Sequence, residues 1–218
     1  MSNSSLYAAF LDLEDRPALV VGGGSVAVRK ARDLVEAGAR VTIVTPEADE
    51  GVIELEKSDA VRRQKRQYRT SDMNDAWLVI AATDDPEVNR AVSQDAEKAG
   101  VFCNVVDCPP LCSFQVPATV RRGDLQVTIS TTGSSPLLAG RLRRRLEDRF
   151  GPEYAVLLDG MRTLRDEVKE AYPDDQERRR KALEEFLDSD VPQRLFGDGD
   201  EEAFRRGLRR WISTRMDT

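Results

Sequence analysis

A glycine turn between two opposite residue patterns constrains this chain most. Residues 18–23 read ALVVGG, a short apolar run suited to a buried strand that leaves through glycine. Residues 25–38, SVAVRKARDLVEAG, follow at once, with apolar residues at helical spacing and a closing glycine. Gly22-Gly23-Gly24-Ser25-Val26-Ala27 between them reads G-x-G-x-x-A. Glycines let the backbone turn sharply and approach a pyrophosphate, while a helix start offers free N–H groups and a positive dipole end. The same residues also satisfy a plain strand-to-helix turn. The flanking strand and helix are the context that favours a dinucleotide.

The pattern repeats. ARVTIVTP is a second apolar strand, VIELEKS reads as helical, and VRRQKRQY is a polar strand suited to a sheet edge. AWLVIAAT is another buried strand. PEVNRAVSQDAEKAG follows as a helix with Pro86 in its first turn and Gly100 at its end, and VFCNVV is the next strand. Short apolar strands alternating with amphipathic helices predict α/β architecture: a Rossmann-type doubly wound parallel sheet covered on both faces.

The pattern then changes. SFQVPATVRRGDLQVTIST reads as two strands joined at RRGD, a hairpin rather than a crossover. SSPLLAGRLRRRLEDRF opens a helix, with Ser134 or Ser135 as N-cap and Pro136 in the first turn. Beyond Gly151-Pro152 the chain reads as helical, broken near YPDD and FGDGD. The expected division is residues 1–112 as the nucleotide domain, 113–150 as a small α+β region, and 151–218 as a helical region.

Composition narrows the chemistry. The chain has 218 residues, 40% hydrophobic and 33% charged, with a net charge of −6, so no nucleic-acid partner is expected. No apolar run approaches the roughly 20 residues of a membrane helix. MSNSSLYAAF lacks the basic and apolar regions of a signal peptide, which predicts a cytoplasmic protein without membrane contact. Histidine is absent, so imidazole bases and His-ligated zinc are excluded. Proton transfer falls to Asp, Glu, Lys, Tyr or Cys.

In a doubly wound sheet, the loops at the carboxyl ends of the strands line the ligand crevice. Strand two ends in Thr45-Pro46-Glu47. Thr45 occupies the usual position of the ribose-binding acid and Glu47 comes slightly late. No arginine follows closely to receive a 2′-phosphate, which favours NAD. Thr83-Asp84-Asp85-Pro86 follows the fourth strand, either lining the crevice or capping the helix. Asp107 ends the fifth strand, either as a proton acceptor at the crevice or as a turn former before Cys-Pro-Pro. Cys103, Cys108 and Cys112 match no zinc or iron–sulfur spacing, so no metal site is expected and the thiols read as small buried or turn residues. Arg141, Arg143, Arg144 and Arg145 form either a solvated face or a patch for a polycarboxylate.

Together, FLDLEDRPALVVGGGSVAVRKARDLVEAGARVTIVTPE, AATDDPEVN, FCNVVD, SFQVPATVRRGDLQVTIST and GSSPLLAGRLRRRLE resemble the precorrin-2 dehydrogenase/sirohydrochlorin ferrochelatase family, the N-terminal module of siroheme synthase. The resemblance covers roughly residues 10–150. It implies NAD-dependent oxidation of precorrin-2 to sirohydrochlorin, and in some members insertion of Fe2+ into sirohydrochlorin. It implies that Gly22, Gly23, Gly24, Ser25, Val26, Pro46, Glu47, Thr83 and Asp84 bind NAD, and that Asp107 is catalytic. Asn104, Ser113, Phe114, Thr131, Gly133 and Ser134 would contact the tetrapyrrole, and 113–150 would mediate a homodimer. Against this stands a non-catalytic NAD-binding sensor, which accounts for the glycine turn but not for the downstream match.

Overall fold

The computed structural model describes residues 6–57 and 59–216. Residues 1–5, on which part of the signal-peptide reading rests, lie outside it. The chain divides into two compact units, Met1–Val116 and Pro117–Thr218.

The first unit is a five-stranded, all-parallel sheet in the order β3-β2-β1-β4-β5. Its elements are β1 (Pro17–Val21), α1 (Ser25–Glu36), β2 (Arg40–Val44), α2 (Glu50–Leu55), β3 (Val61–Gln64), β4 (Leu78–Ala81), α3 (Pro86–Ala99) and β5 (Phe102–Val105). The two-residue period of a strand sorts side chains between two cores. Ala18, Val20, Ile43, Leu78 and Ile80 meet Ala27, Val28, Ala31 and Leu34 of α1 and Val52 of α2. Leu19, Val21, Val44, Val79 and Ala81 meet Val92 and Ala96 of α3 on the other face. Such double burial explains why the strands read as unbroken apolar runs. The polar VRRQ strand is at the edge, as its sequence predicts.

The helix ends follow local chemistry. Asp85 caps α3 by accepting from the N–H of Glu87 at 2.8 Å and of Val88 at 3.3 Å, and Gly100 closes it at φ +68°. Gly38, at φ +85°, follows α1.

The second unit begins with the antiparallel hairpin β6 (Ala118–Arg122) and β7 (Leu125–Ile129), turned by Gly123-Asp124. Helix α4 (Pro136–Arg149) packs on it. Of the two serines offered as cap, Ser135 does the work, accepting from the Leu138 N–H at 3.2 Å. Then come α5 (Glu153–Ala171), α6 (Gln176–Leu187), α7 (Asp190–Asp198) and α8 (Glu201–Met216), around Leu164, Val168, Phe186, Leu195 and Phe204. The sequence breaks at YPDD and FGDGD are present. A third break, at Asp188-Ser189, was not foreseen, and there the Ser189 hydroxyl caps α7. No helix among the described residues is long and apolar enough to cross a membrane.

Candidate functional site: the carboxyl edge of the parallel sheet

Parallel strands deliver all their exits to one edge, and here the exits are cross-tied. The Gly22 N–H donates to Val44 O at 3.0 Å, joining the ends of β1 and β2. Ala82 N–H donates to Val21 O at 2.8 Å and Val106 N–H to Ala81 O at 2.9 Å, carrying the ladder one residue past β4 and β5. Gly22–Val26, Pro46, Glu47, Thr83, Asp84 and Asp107 therefore lie along one edge.

The glycine turn is specified residue by residue. Gly22 sits at φ +123°, and a β-carbon there would strike the Ala82 carbonyl. A β-carbon on Gly23 would strike the Glu47 carbonyl and the Thr45 hydroxyl. Gly24 is different: a β-carbon there meets nothing within 4 Å. Gly22 and Gly23 are thus required by packing, whereas the open side of Gly24 is free for a ligand. Gly24 is also the N-cap of α1, with no side-chain cap and no acid in the first turn, so the first N–H groups are left for an anion. This donor set suits a dinucleotide pyrophosphate.

Thr45 is 96% removed from solvent. Its hydroxyl donates to the Glu47 carbonyl, and the Asp49 N–H donates to Gly23 O at 2.9 Å, so the β2 exit folds back under the turn. Pro46 and the Glu47 side chain are exposed beside it. Beyond β4, Asn89 donates from Nδ2 to Thr83 O at 2.9 Å, and its Oδ1 accepts from the Thr83 hydroxyl at 2.9 Å. This bracing by Asn89 was missed in the sequence, although TDDPEVN contains it. Asp84 is exposed, and the capping offered to either aspartate belongs to Asp85.

Asp107 occupies the third position of a tight turn closed by Cys108 N–H to Val105 O at 3.2 Å. Its φ is +57°, in the left-handed region where such a turn ordinarily takes Gly or Asn. Its side chain is exposed. Half-buried Lys30 on α1 lies within electrostatic reach. Burial pushes its ammonium pKa down, opposed first by Asp33 and more weakly by Asp107.

The residues expected to meet a tetrapyrrole fall in two places. Asn104 donates to Phe114 O at 3.1 Å, and the Ser113 hydroxyl accepts from the Cys103 N–H at 2.8 Å, so both brace the outer edge of β5. Phe114 stacks edge-on with Phe102 at 6.3 Å. Thr131, Gly133 and Ser134 belong to the second unit, in the turn before α4. There Thr131 Oγ1 accepts from the Ser135 N–H at 3.1 Å, while Thr132 and Gly133 take φ of +48° and +82°. Buried Cys103 has its thiol pKa pushed up to about 11 by desolvation, and half-buried Cys112 is shifted the same way. Among the described residues no cluster of His, Cys, Asp or Glu is arranged for a metal.

Known proteins resemble this chain along most of its length. The family described as putative NAD(P)-binding matches residues 9–118, and the sirohaem biosynthesis protein central family matches residues 122–149. The siroheme synthase of Thioalkalivibrio sulfidiphilus is 41% identical over 215 residues, covering 97% of this chain and 43% of that protein. That of Methylobacillus flagellatus is 40% identical over 210 residues, covering 94% and 44%. The chain thus spans a little under half the length of these relatives. Among solved structures, "SirC, precorrin-2 dehydrogenase" superposes with a TM-score of 0.74 at 25% identity, covering 94% of this chain and all of that one.

Proposed function

This chain belongs to the putative NAD(P)-binding family through residues 9–118 and matches the sirohaem biosynthesis protein central family over residues 122–149, and from that premise we propose that it oxidises precorrin-2 to sirohydrochlorin, with NAD as the hydride acceptor. The observation that carries the reading is Asp107, an exposed carboxylate held at φ +57° on the same sheet edge as the glycine turn.

When bound, NAD accepts the hydride. The remaining requirements fall to the chain. The first N–H groups of α1, from Ser25 and Val26, bind the pyrophosphate across the open side of Gly24. Pro46, Glu47, Thr83 and Asp84, on the same sheet edge, would complete the NAD site. Two hydrogens leave the substrate, one as hydride and one as a proton, and the carboxylate of Asp107 takes the proton. A freely exposed carboxylate suits this step, because it can return the proton to water after each turnover. Asn104, Ser113 and Phe114 hold the tetrapyrrole beside β5. For Thr131, Gly133 and Ser134, in the turn before α4, a part in substrate binding rests on the family resemblance alone. In this account residues 1–112 bind NAD, 113–150 serve substrate and dimerisation, and 151–218 form the accessory helical region.

Two finer assignments go with it. Leu137 and Leu138 are 68% and 49% exposed at the start of α4, beside a hairpin of only two strands, which supports a homodimer formed through this region. The siroheme synthase relatives support insertion of Fe2+ into sirohydrochlorin, with the exposed Asp107 carboxylate receiving pyrrole protons. We also propose that the reaction takes place in the cytoplasm.

Anaerobic incubation of the protein with precorrin-2 and NAD tests the reading. The sirohydrochlorin spectrum and NADH absorbance should rise together. Tight NAD binding with neither signal would make the protein a non-catalytic NAD sensor.

A further inference from the structure

The fifth strand has a free edge, and side chains close it. Cys103 and Val105 direct their outer N–H and C=O groups away from β4. Cys103 is met by Ser113, whose hydroxyl accepts from its N–H at 2.8 Å and whose own N–H donates to its carbonyl at 2.8 Å. Val105 is met by a thiol. Cys112 Sγ accepts from the Val105 N–H at 3.2 Å and lies 3.2 Å from Val105 O and 3.3 Å from Cys108 O. One S–H serves either carbonyl, and the sulfur lone pairs receive the amide. Val105 and Cys108 are also the two ends of the turn that holds Asp107 in its left-handed conformation.

We propose that Cys112 is a positioning residue for Asp107: its thiol clamps both ends of the Val105–Cys108 turn from outside the sheet and so fixes where the carboxylate stands. The inference rests on the role proposed for Asp107. Burial raises the Cys112 pKa against the opposing pull of the Val105 amide, so the group is a protonated thiol at neutral pH and both donates and accepts. The segment just beyond the turn has its own anchor, the Ser93 hydroxyl of α3 donating to Leu111 O at 2.9 Å, so loss of the thiol loosens the turn without releasing the segment. Cys108 contributes its backbone to this arrangement, and its side chain makes none of these contacts.

The test compares Cys112→Ala, Cys112→Ser and Cys108→Ala with wild type and Asp107→Asn. Steady-state rates with precorrin-2 and NAD are paired with amide exchange over residues 103–114. Cys112→Ala should lower kcat at least about tenfold, keep the KM for NAD within about twofold, and speed exchange at residues 105–108. Cys112→Ser, which keeps a donor and an acceptor, should recover most of the rate and protection, and Cys108→Ala should match wild type. Should Cys112→Ala fail to fold, the serine variant decides: wild-type exchange and rate support the clamp, and wild-type exchange with a tenfold lower kcat overturns it. Wild-type kcat in Cys112→Ala, with Asp107→Asn inactive, overturns the clamp alone. Full turnover in Asp107→Asn overturns the reading beneath it, and the inference with it.

Discussion

A β-carbon on Gly22 would strike the carbonyl of Ala82, so the exits of β1 and β4 approach more closely than any side chain allows. With φ at +123° the position is closed to other residues twice over. Gly22→Ala should cost at least about 2 kcal/mol and lower the melting temperature by several degrees, read by thermal denaturation.

Gly24 should separate binding from folding. Its β-carbon would meet nothing within 4 Å, and its φ of −82° suits any residue. Gly24→Ala is therefore expected to melt as wild type while binding NAD at least about tenfold more weakly, because in the proposed binding mode the added methyl would occupy the pyrophosphate's approach. Calorimetric titration with NAD measures this. Unchanged affinity would remove the ligand from the turn.

Alkaline stability should report on Cys103. Its folded pKa of about 11 lies above the ordinary thiol value of 9.0. Unfolded chains then ionise first as pH rises, so stability is fully present below pH 9 and is lost towards pH 11, by about 2–3 kcal/mol. Cys103→Ala should be less stable at neutral pH but should lose less between pH 9 and 11. Urea denaturation at both pH values gives the difference.

The cap of α3 offers a smaller effect. Asp85 accepts from two N–H groups of the first turn, and Asp85→Ala should cost about 1 kcal/mol in urea denaturation. Asp84→Ala, which removes no such bond, should cost less than half as much.

Much of the first unit was legible in the sequence because each element carried its own marks. ALVVGG leads into a helix, Asp85-Pro86 opens α3, Gly100 closes it, and VRRQ is too polar for a central strand. What escaped was tertiary. No sequence period distinguishes Gly24, open to solvent, from Gly22 and Gly23, closed by packing. Asp107 at a strand end suggested a crevice, but its left-handed backbone depends on the turn closed by Cys108. The cysteines looked inert because sulfur bonds to backbone leave no spacing rule, yet Cys112 grips Val105. Ser189 capped a helix inside a stretch whose composition is helical throughout.

Asp107→Asn tests the central claim most directly. Asparagine tolerates φ +57° and preserves side-chain shape, so the fold and NAD affinity should match wild type. With the proton acceptor gone, kcat for NADH formation from precorrin-2 should fall by about 10²- to 10⁴-fold. A folded, NAD-binding Asp107→Asn protein that produces sirohydrochlorin at the wild-type rate would contradict the account.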